Sequence, residues 1–266
     1  MRALLAMKAL LATLSFVAGA AWAQTGLTPP RVGFMQDAAN SFRPVDGIAG
    51  NFLPGDPVAL GVVSAAYSGA YGLFKTSSAV VVTDRVGSIV ATNSQPDGPA
   101  LFAFTRAGEP ALIFVPAANL LLAWDGTTFN PVSFDPTTLS ASAILSIAAP
   151  RPGQAAMIVQ RDDGLCDLRV DLATGDIKAQ TAIPGVTAPA LMLANGDLVY
   201  ADGNGIVVRK PDGPEQHIIA QLPASFALQQ MGEGWIQLRD LGSGRQFAIR
   251  VIQNREQYYQ LPESRQ

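Results

Sequence analysis

The stretch Leu198–Ile219, LVYADGNGIVVRKPDGPEQHII, holds three short apolar runs separated by two glycine-bearing turns. A strand over Leu198–Ala201 turns at Asp202-Gly203-Asn204-Gly205 into a second over Ile206–Lys210. That strand turns at Pro211-Asp212-Gly213-Pro214 into a third, EQHIIAQLP. Glycine and asparagine supply the backbone geometry of tight hairpins, and β-branched residues fill the runs between them. The last strand–turn–strand pair can be laid over five other segments: VGFMQDAANSFRPVDGIAG, VVVTDRVGSIVATN, LLAWDGTTFNPVSF, DLRVDLATGDIKAQTAIPG and FAIRVIQNREQYYQLP. The final strands of the six units begin near Ser41, Ser88, Thr128, Asp176, Glu215 and Glu256, at intervals of 39 to 48 residues.

That recurrence restricts the fold more than any other feature. A unit of about 40–45 residues holding four strands is the blade of a β-propeller, whereas helical solenoids share the period and lack the strands. No stretch after residue 23 shows a sustained 3.6-residue apolar period with caps, so the chain reads as all-β. Five units are complete and begin near Val58, Ala100, Ala143, Ala188 and Ser225; ALFAFT, ALIFVP, LLLAWD and FNPVSF make one of them. Arg31–Asp46 supplies only two strands. The expectation is a ring of six radial units whose first is a half blade. The alternative is five blades with the N-terminal pair added to a neighbour. Leu53–Gly72, rich in Gly and Ala, carries the fewest boundary signals, and no linker divides residues 24–266 into two domains.

The first 23 residues read as an export signal. Arg2 and Lys8 precede an apolar run over Ala9–Ala20, and Ala21-Trp22-Ala23 has the small-x-small form of a cleavage site. The uncharged run Ala9–Ala23 is 15 residues, short of the roughly 20 that span a bilayer core. Cleavage before Gln24 leaves a single domain of 243 residues, exported to the periplasm or beyond, with no further membrane span and no cysteine at the cleavage site to carry a lipid.

The chain has 18 Lys and Arg against 21 Asp and Glu, and its net charge of −3 becomes −5 without Arg2 and Lys8. With no basic run, nucleic acid is excluded as a partner. The single cysteine, Cys166 in GLCDLRV, has no disulfide partner and reads as a small buried apolar residue rather than a nucleophile.

Asp171–Gln180, DLATGDIKAQ, resembles the D-x-x-T-G turn that joins outer strands in YVTN-type and quinoprotein-like blades of secreted bacterial propellers. The resemblance implies an outer hairpin in which Asp171 caps the turn, Thr174 bonds locally and Gly175 takes a positive φ. Quinoprotein blades often carry a Trp four residues after the glycine; here that position is Ala179, so no quinone cofactor follows. Trp124-Asp125 matches a WD dipeptide once, without a Gly-His partner before it.

His217 is the only histidine, and the chain holds no G-x-S-x-G, H-E-x-x-H or G-x-x-x-x-G-K-[ST]. No catalytic and no cofactor-binding residue is therefore assigned. Acidic turns come nearest to chemistry. RDDG (Arg161–Gly164) and NGDLVYADGNG (Asn195–Gly205) place Asp162, Asp163, Asp197, Asp202 and Asn204 on loops. Calcium takes six to eight oxygen ligands, which neighbouring blades can pool. The competing reading is turn chemistry, which uses the same residues without a metal.

Two classes of function stand open. One is a non-catalytic exported propeller whose loops meet a protein or glycan partner on a rigid scaffold, as a free protein or as a part of an envelope assembly. The other is a propeller enzyme, lactonase-like or a carbohydrate-active hydrolase or lyase, which needs carboxylates from at least three blades at one mouth of the channel.

Overall fold

The computed structural model describes residues 29–211, 213–252 and 257–263, and Arg31–Gln266 form one compact unit. The export signal over 1–23 and the turn residue Asp212 lie outside the described residues.

Among the described residues twenty-three strands form six antiparallel sheets, five of four strands and one of three. The first holds β1 (Arg31–Gln36), β2 (Phe42–Ile48) and β3 (Asn51–Pro54); the second β4 (Ser64–Tyr67), β5 (Gly72–Lys75), β6 (Ala79–Thr83) and β7 (Ile89–Ser94). The third holds β8 (Leu101–Phe104), β9 (Pro110–Val115), β10 (Leu120–Trp124) and β11 (Phe129–Pro131). The fourth holds β12 (Ala143–Arg151), β13 (Gln154–Arg161), β14 (Gly164–Asp171) and β15 (Ile177–Ile183). The fifth holds β16 (Ala190–Met192), β17 (Leu198–Asp202), β18 (Gly205–Arg209) and β19 (Gln216–Ile219), and the sixth β20 (Phe226–Gly232), β21 (Trp235–Asp240), β22 (Gln246–Arg250) and β23 (Gln257–Gln260). The arrangement is a six-bladed β-propeller. Among the described residues the helical content is two short 3-10 turns, at Pro116–Ala118 and Pro136–Thr138, and no helix is long and apolar enough to cross a membrane.

A lone hairpin is marginal in water, so the sheets stack and bury both faces. Strand β13 shows why the apolar runs are continuous. Ala155, Met157 and Val159 pack toward blade three, while Ala156 and Ile158 pack toward blade five. Cys166 on β14 is buried in the first of these clusters. The outermost strands are the opposite case: Ile177–Ile183 is mostly exposed.

Strands β7, β11, β15, β19 and β23 each begin one residue after the expected position. The first blade requires a correction. It has three strands rather than two, because Asn51–Pro54 pairs with Val45–Ile48; only Phe52 of this strand is buried, so it carries no alternating signature. Blade two correspondingly starts at Ser64 and not near Val58.

Blade one is also incomplete in a particular way. Gly33 lies against Met231 and Gly232 at the end of β20, and Gln36 lies against Gln237, whose ladder partner is Gln229 in mid-strand. Strand β1 therefore runs opposite to the inner strand β20. At the junction of blades two and three, by contrast, Ser64 at the start of β4 meets Ala100, just before β8, so the two inner strands run the same way. Among the described residues, strands β1–β3 thus occupy the second, third and fourth places of a blade with no inner strand, and β4 and β20 touch at its inner edge.

Ring closure follows from that omission. The buried Gln237 side chain accepts from the Gln36 N–H at 3.1 Å and donates to the Gln36 carbonyl at 2.8 Å and to Gln246 Oε1 at 2.7 Å. Gln229 donates to Gln237 Oε1, and Gln36 Nε2 donates to the Val62 carbonyl at 2.5 Å. Met35, Val45 and Phe52 pack with Met231, Trp235, Ala248 and Leu261 beside this network. A Cβ on Gly33 would stand 1.7 Å from the Met231 carbonyl oxygen, and one on Gly232 would stand 2.3 Å from that of Val32. Both positions are glycine because the two backbones meet there.

Candidate functional site

The inner strands β4, β8, β12, β16 and β20, with Gln36, surround an axial channel of about 230 Å³. Its wall is mostly Ala, Leu and Phe, with Ser64, Ser146, Gln229, Gln230 and Arg239 as further polar members. The serines serve the ring itself. Ser64 Oγ accepts from the Ala100 N–H and Ser146 Oγ from the Met192 N–H, each at 2.9 Å, which ties adjacent blades together. Among the described residues lining the channel there is no Asp or Glu.

The two mouths differ in chemistry. At one, turns between the first and second strands of blades two, three, five and six frame a basin of about 1180 Å³ that shares Ala194 and Gln230 with the channel. Arg106, Lys210 and Arg250 meet Asp197 and Glu233 on its wall. Arg106 donates to the Asn195 carbonyl at 3.3 Å, joining blades three and five across the opening. Ser68 Oγ donates to the Gly108 carbonyl at 2.5 Å, and the Arg250 guanidinium lies 5.5 Å from the centre of the Trp235 ring, over its face. The other mouth, about 480 Å³, is apolar, with Leu101, Leu145, Pro189, Phe226 and Leu228 on its wall. A further groove of about 630 Å³ between blades three and four exposes parts of Tyr71 and Trp124 beside Arg106, Glu109 and Arg151.

The acidic candidates separate. Asp162 and Asp163 form the turn between β13 and β14, and Asp202 begins that between β17 and β18; both are second-to-third-strand turns. Asp197 closes a first-to-second-strand turn, so antiparallel connectivity puts it at the opposite rim, on the basin wall. Asn204 shares the Asp202 turn. Among the described residues no group of three or more His, Cys, Asp and Glu is placed to hold a metal.

Asp202 is one member of a repeated structural device. One aspartate in every blade (Asp37, Asp84, Asp125, Asp171, Asp202 and Asp240) ends or directly follows a strand and accepts two backbone N–H groups of the turn that follows. For Asp202 the donors are Asn204 and Gly205, at 2.8 and 2.9 Å. At Asp84, Asp125 and Asp240 such bonds favour the ionised carboxylate. Asp84 is held below the usual range chiefly by the Ser88 N–H, Asp125 by the Thr128 and Thr127 N–H groups, and Asp240 by the Ser243 hydroxyl and N–H. The D-x-x-T-G turn is one instance: Asp171 accepts from Ala173 and Thr174, and Gly175 has φ +79°.

Gly213 does not take a positive φ, and its nearest neighbour for an added Cβ is Lys210 at 3.2 Å. His217 is exposed on β19 but has acidic company: Nδ1 is 3.5 Å from Asp202 and Nε2 4.0 Å from Glu215. Glu215 in turn accepts from Arg209 at 2.5 Å and from the Tyr200 hydroxyl at 3.1 Å, and Arg209 above all holds its carboxyl below the usual range.

No protein-family model matches the sequence, and no curated protein matches it. Solved structures do. A chain of a nidogen–laminin complex is 13% identical with a TM-score of 0.53, over 86% of this chain and 92% of that one. TolB from Acinetobacter baumannii is 12% identical with a TM-score of 0.55, over 88% of this chain and 64% of that one. The likeness is one of fold. The chain spans slightly less than two thirds of TolB.

Proposed function

We propose that this chain is an exported, non-catalytic propeller that binds a protein partner through the charged basin. The observation that carries the proposal is the basin itself: about 1180 Å³, framed by turns of four blades and lined by charges of both signs. Mixed charge on a rigid rim gives register and selectivity toward a complementary surface, and the ring presents the turns without needing them to fold on contact. A chain of similar fold is found in a nidogen–laminin complex. Export through residues 1–23 and kinship with YVTN-type blades, carried by Asp171–Gly175, belong to the same proposal.

An enzyme of the lactonase-like or carbohydrate-active kind calls for carboxylates from three blades at one mouth. The basin has Asp197 from blade five and Glu233 from blade six. A glycan partner has one observation in its favour, the groove where Tyr71 and Trp124 offer aromatic surface beside Arg106 and Arg151.

Crosslinking in the native envelope separates these readings. A protein partner captured by the wild type should be lost with Lys210→Glu and Glu233→Lys and kept with Trp124→Ala. Capture unaffected by both charge reversals would overturn the basin as the recognition surface. Loss only in Trp124→Ala would move recognition to the groove.

A further inference from the structure

We propose that Arg239 makes the axial channel a binding site for a small organic acid with an apolar body. Arg239 lies on β21 opposite Ala227, the second residue of the inner strand β20, and its side chain lines the channel. Ala227 also belongs to the apolar mouth, which places the guanidinium near that end rather than beneath the charged basin.

The arginine has no ion pair or side-chain hydrogen bond with any described residue. Burial alone shifts its pKa, downward, with no carboxylate acting on it. Of the arginines that line the charged basin, Arg106 has the Asn195 carbonyl and Arg250 lies over Trp235. A part-buried guanidinium without an anion is costly, and a planar fork of donors matches a carboxylate in two parallel hydrogen bonds. Around it the wall offers Leu145, Leu191, Leu228 and Phe102 and no acidic side chain among the described lining residues. Low-polarity walls strengthen the charge pair and give the remainder of the ligand apolar contact. An apolar cavity of about 150 Å³ holds one benzene. The 230 Å³ channel thus suits an acid of roughly six to ten carbons on the same scale, its carboxylate on Arg239 and its chain along the apolar wall of the channel. The site does not depend on the basin or on its partner.

Calorimetric titration with sodium octanoate, 1-octanol and inorganic phosphate tests this on the wild-type chain, with circular dichroism and urea midpoints checking the fold of each variant. Octanoate should bind at least tenfold more tightly than either octanol or phosphate. Arg239→Gln should weaken octanoate at least tenfold, with Arg239→Lys in between and Lys178→Gln, on an outer strand of blade four, unchanged. The comparison of the three ligands needs no variant, so a failure of Arg239→Gln to fold leaves it decisive. No binding of octanoate, a preference over octanol or phosphate of less than tenfold, or a folded Arg239→Gln that loses less than tenfold would each overturn the proposal.

Discussion

Gln237 and Gln36 bond to each other through one side-chain amide and both polar groups of one peptide unit's residue, 201 positions apart in the chain. The contact closes the ring where no strand is shared between the first and last blades. A leucine at 237 keeps the volume and removes both bonds, leaving the Gln36 N–H and carbonyl short of a partner in a buried seam. Gln237→Leu should cost about 2 to 4 kcal/mol, the usual consequence of leaving buried polar groups unpaired. Gln180→Leu, on the exposed strand β15, should stay within about 0.5 kcal/mol. Urea melts of the two variants check the contrast, and equal midpoints would remove the amide network as the element that closes the ring.

Gly175 and Gly213 should now behave differently. At Gly175 the backbone has φ +79° and an added Cβ would stand 1.7 Å from the Ser133 carbonyl oxygen. Gly175→Val should therefore cost at least about 2 kcal/mol, from strain and the displaced neighbour together. Gly213→Val needs no positive φ and meets only the flexible Lys210 side chain, at 3.2 Å, so it should cost less than about 1 kcal/mol. Lys178→Val loses only exposed ion pairs with Asp171 and Asp176 and should change stability by less than about 0.5 kcal/mol. Parallel denaturant melts rank the three.

On the alkaline side the marker is Tyr258. Its hydroxyl is buried without a described hydrogen-bond partner, its ring stacks on Phe247 at 4.9 Å, and burial pushes its pKa up to about 12 from 10.0. Below pH 10 both the folded and unfolded chains keep this proton, so the contribution to stability is constant. Between pH 10 and 12 the unfolded chain ionises first, and stability falls across that window. Tyr258→Phe should reduce the fall, leaving the smaller parts due to Tyr67 and Tyr200, whose values burial also raises. Stability at pH 7 should be unchanged or higher in the variant. Thermal melts from pH 8 to 12 check both statements.

At the acid end the turn aspartates set the response. Hydrogen bonds depress the folded value of Asp125 below the unfolded 3.8, so its contribution is fully present above the unfolded value and is lost as pH falls through the folded one. Asp125→Asn keeps an oxygen for the Thr127 and Thr128 N–H groups and removes the titration. Its melting temperature should fall less steeply than the wild type's below pH 4. Identical slopes would show that the Asp125 carboxylate does not contribute to acid sensitivity.

Blade boundaries were legible because each outer hairpin announces itself with Asp, Gly or Asn between two β-branched runs, and those residues act through local backbone geometry. Blade one was read short because its third strand has one buried residue, Phe52, and no alternation to reveal it. The direction of its strand β1 leaves no mark on the sequence, being a relation between Gly33 and residues two hundred positions away. Gln36, Gln237 and Gln246 look like ordinary polar positions of exposed strands; only the packed ring shows that they are buried and answer one another. Arg239 in WIQLRD is hidden in the same way. The aspartates were visible, but whether a loop carboxylate faces a cation or its own backbone depends on side-chain rotamers that spacing does not encode. The basin's turns could be named from the sequence, yet which of them share a mouth follows only from blade order and strand direction.

The glycine pair Gly33 and Gly232 bears on how such a chain can change its size. Propellers are built from repeats, and copying or deleting one internal blade preserves the junctions on either side because those junctions are alike. The meeting of blades one and six is unlike that of blades two and three, since it joins strands of opposite direction and admits no Cβ at Gly33 or Gly232. A change in blade number is therefore open only among the internal blades. A duplication that began or ended at the seam would have to produce two facing glycines at once before its ring could shut.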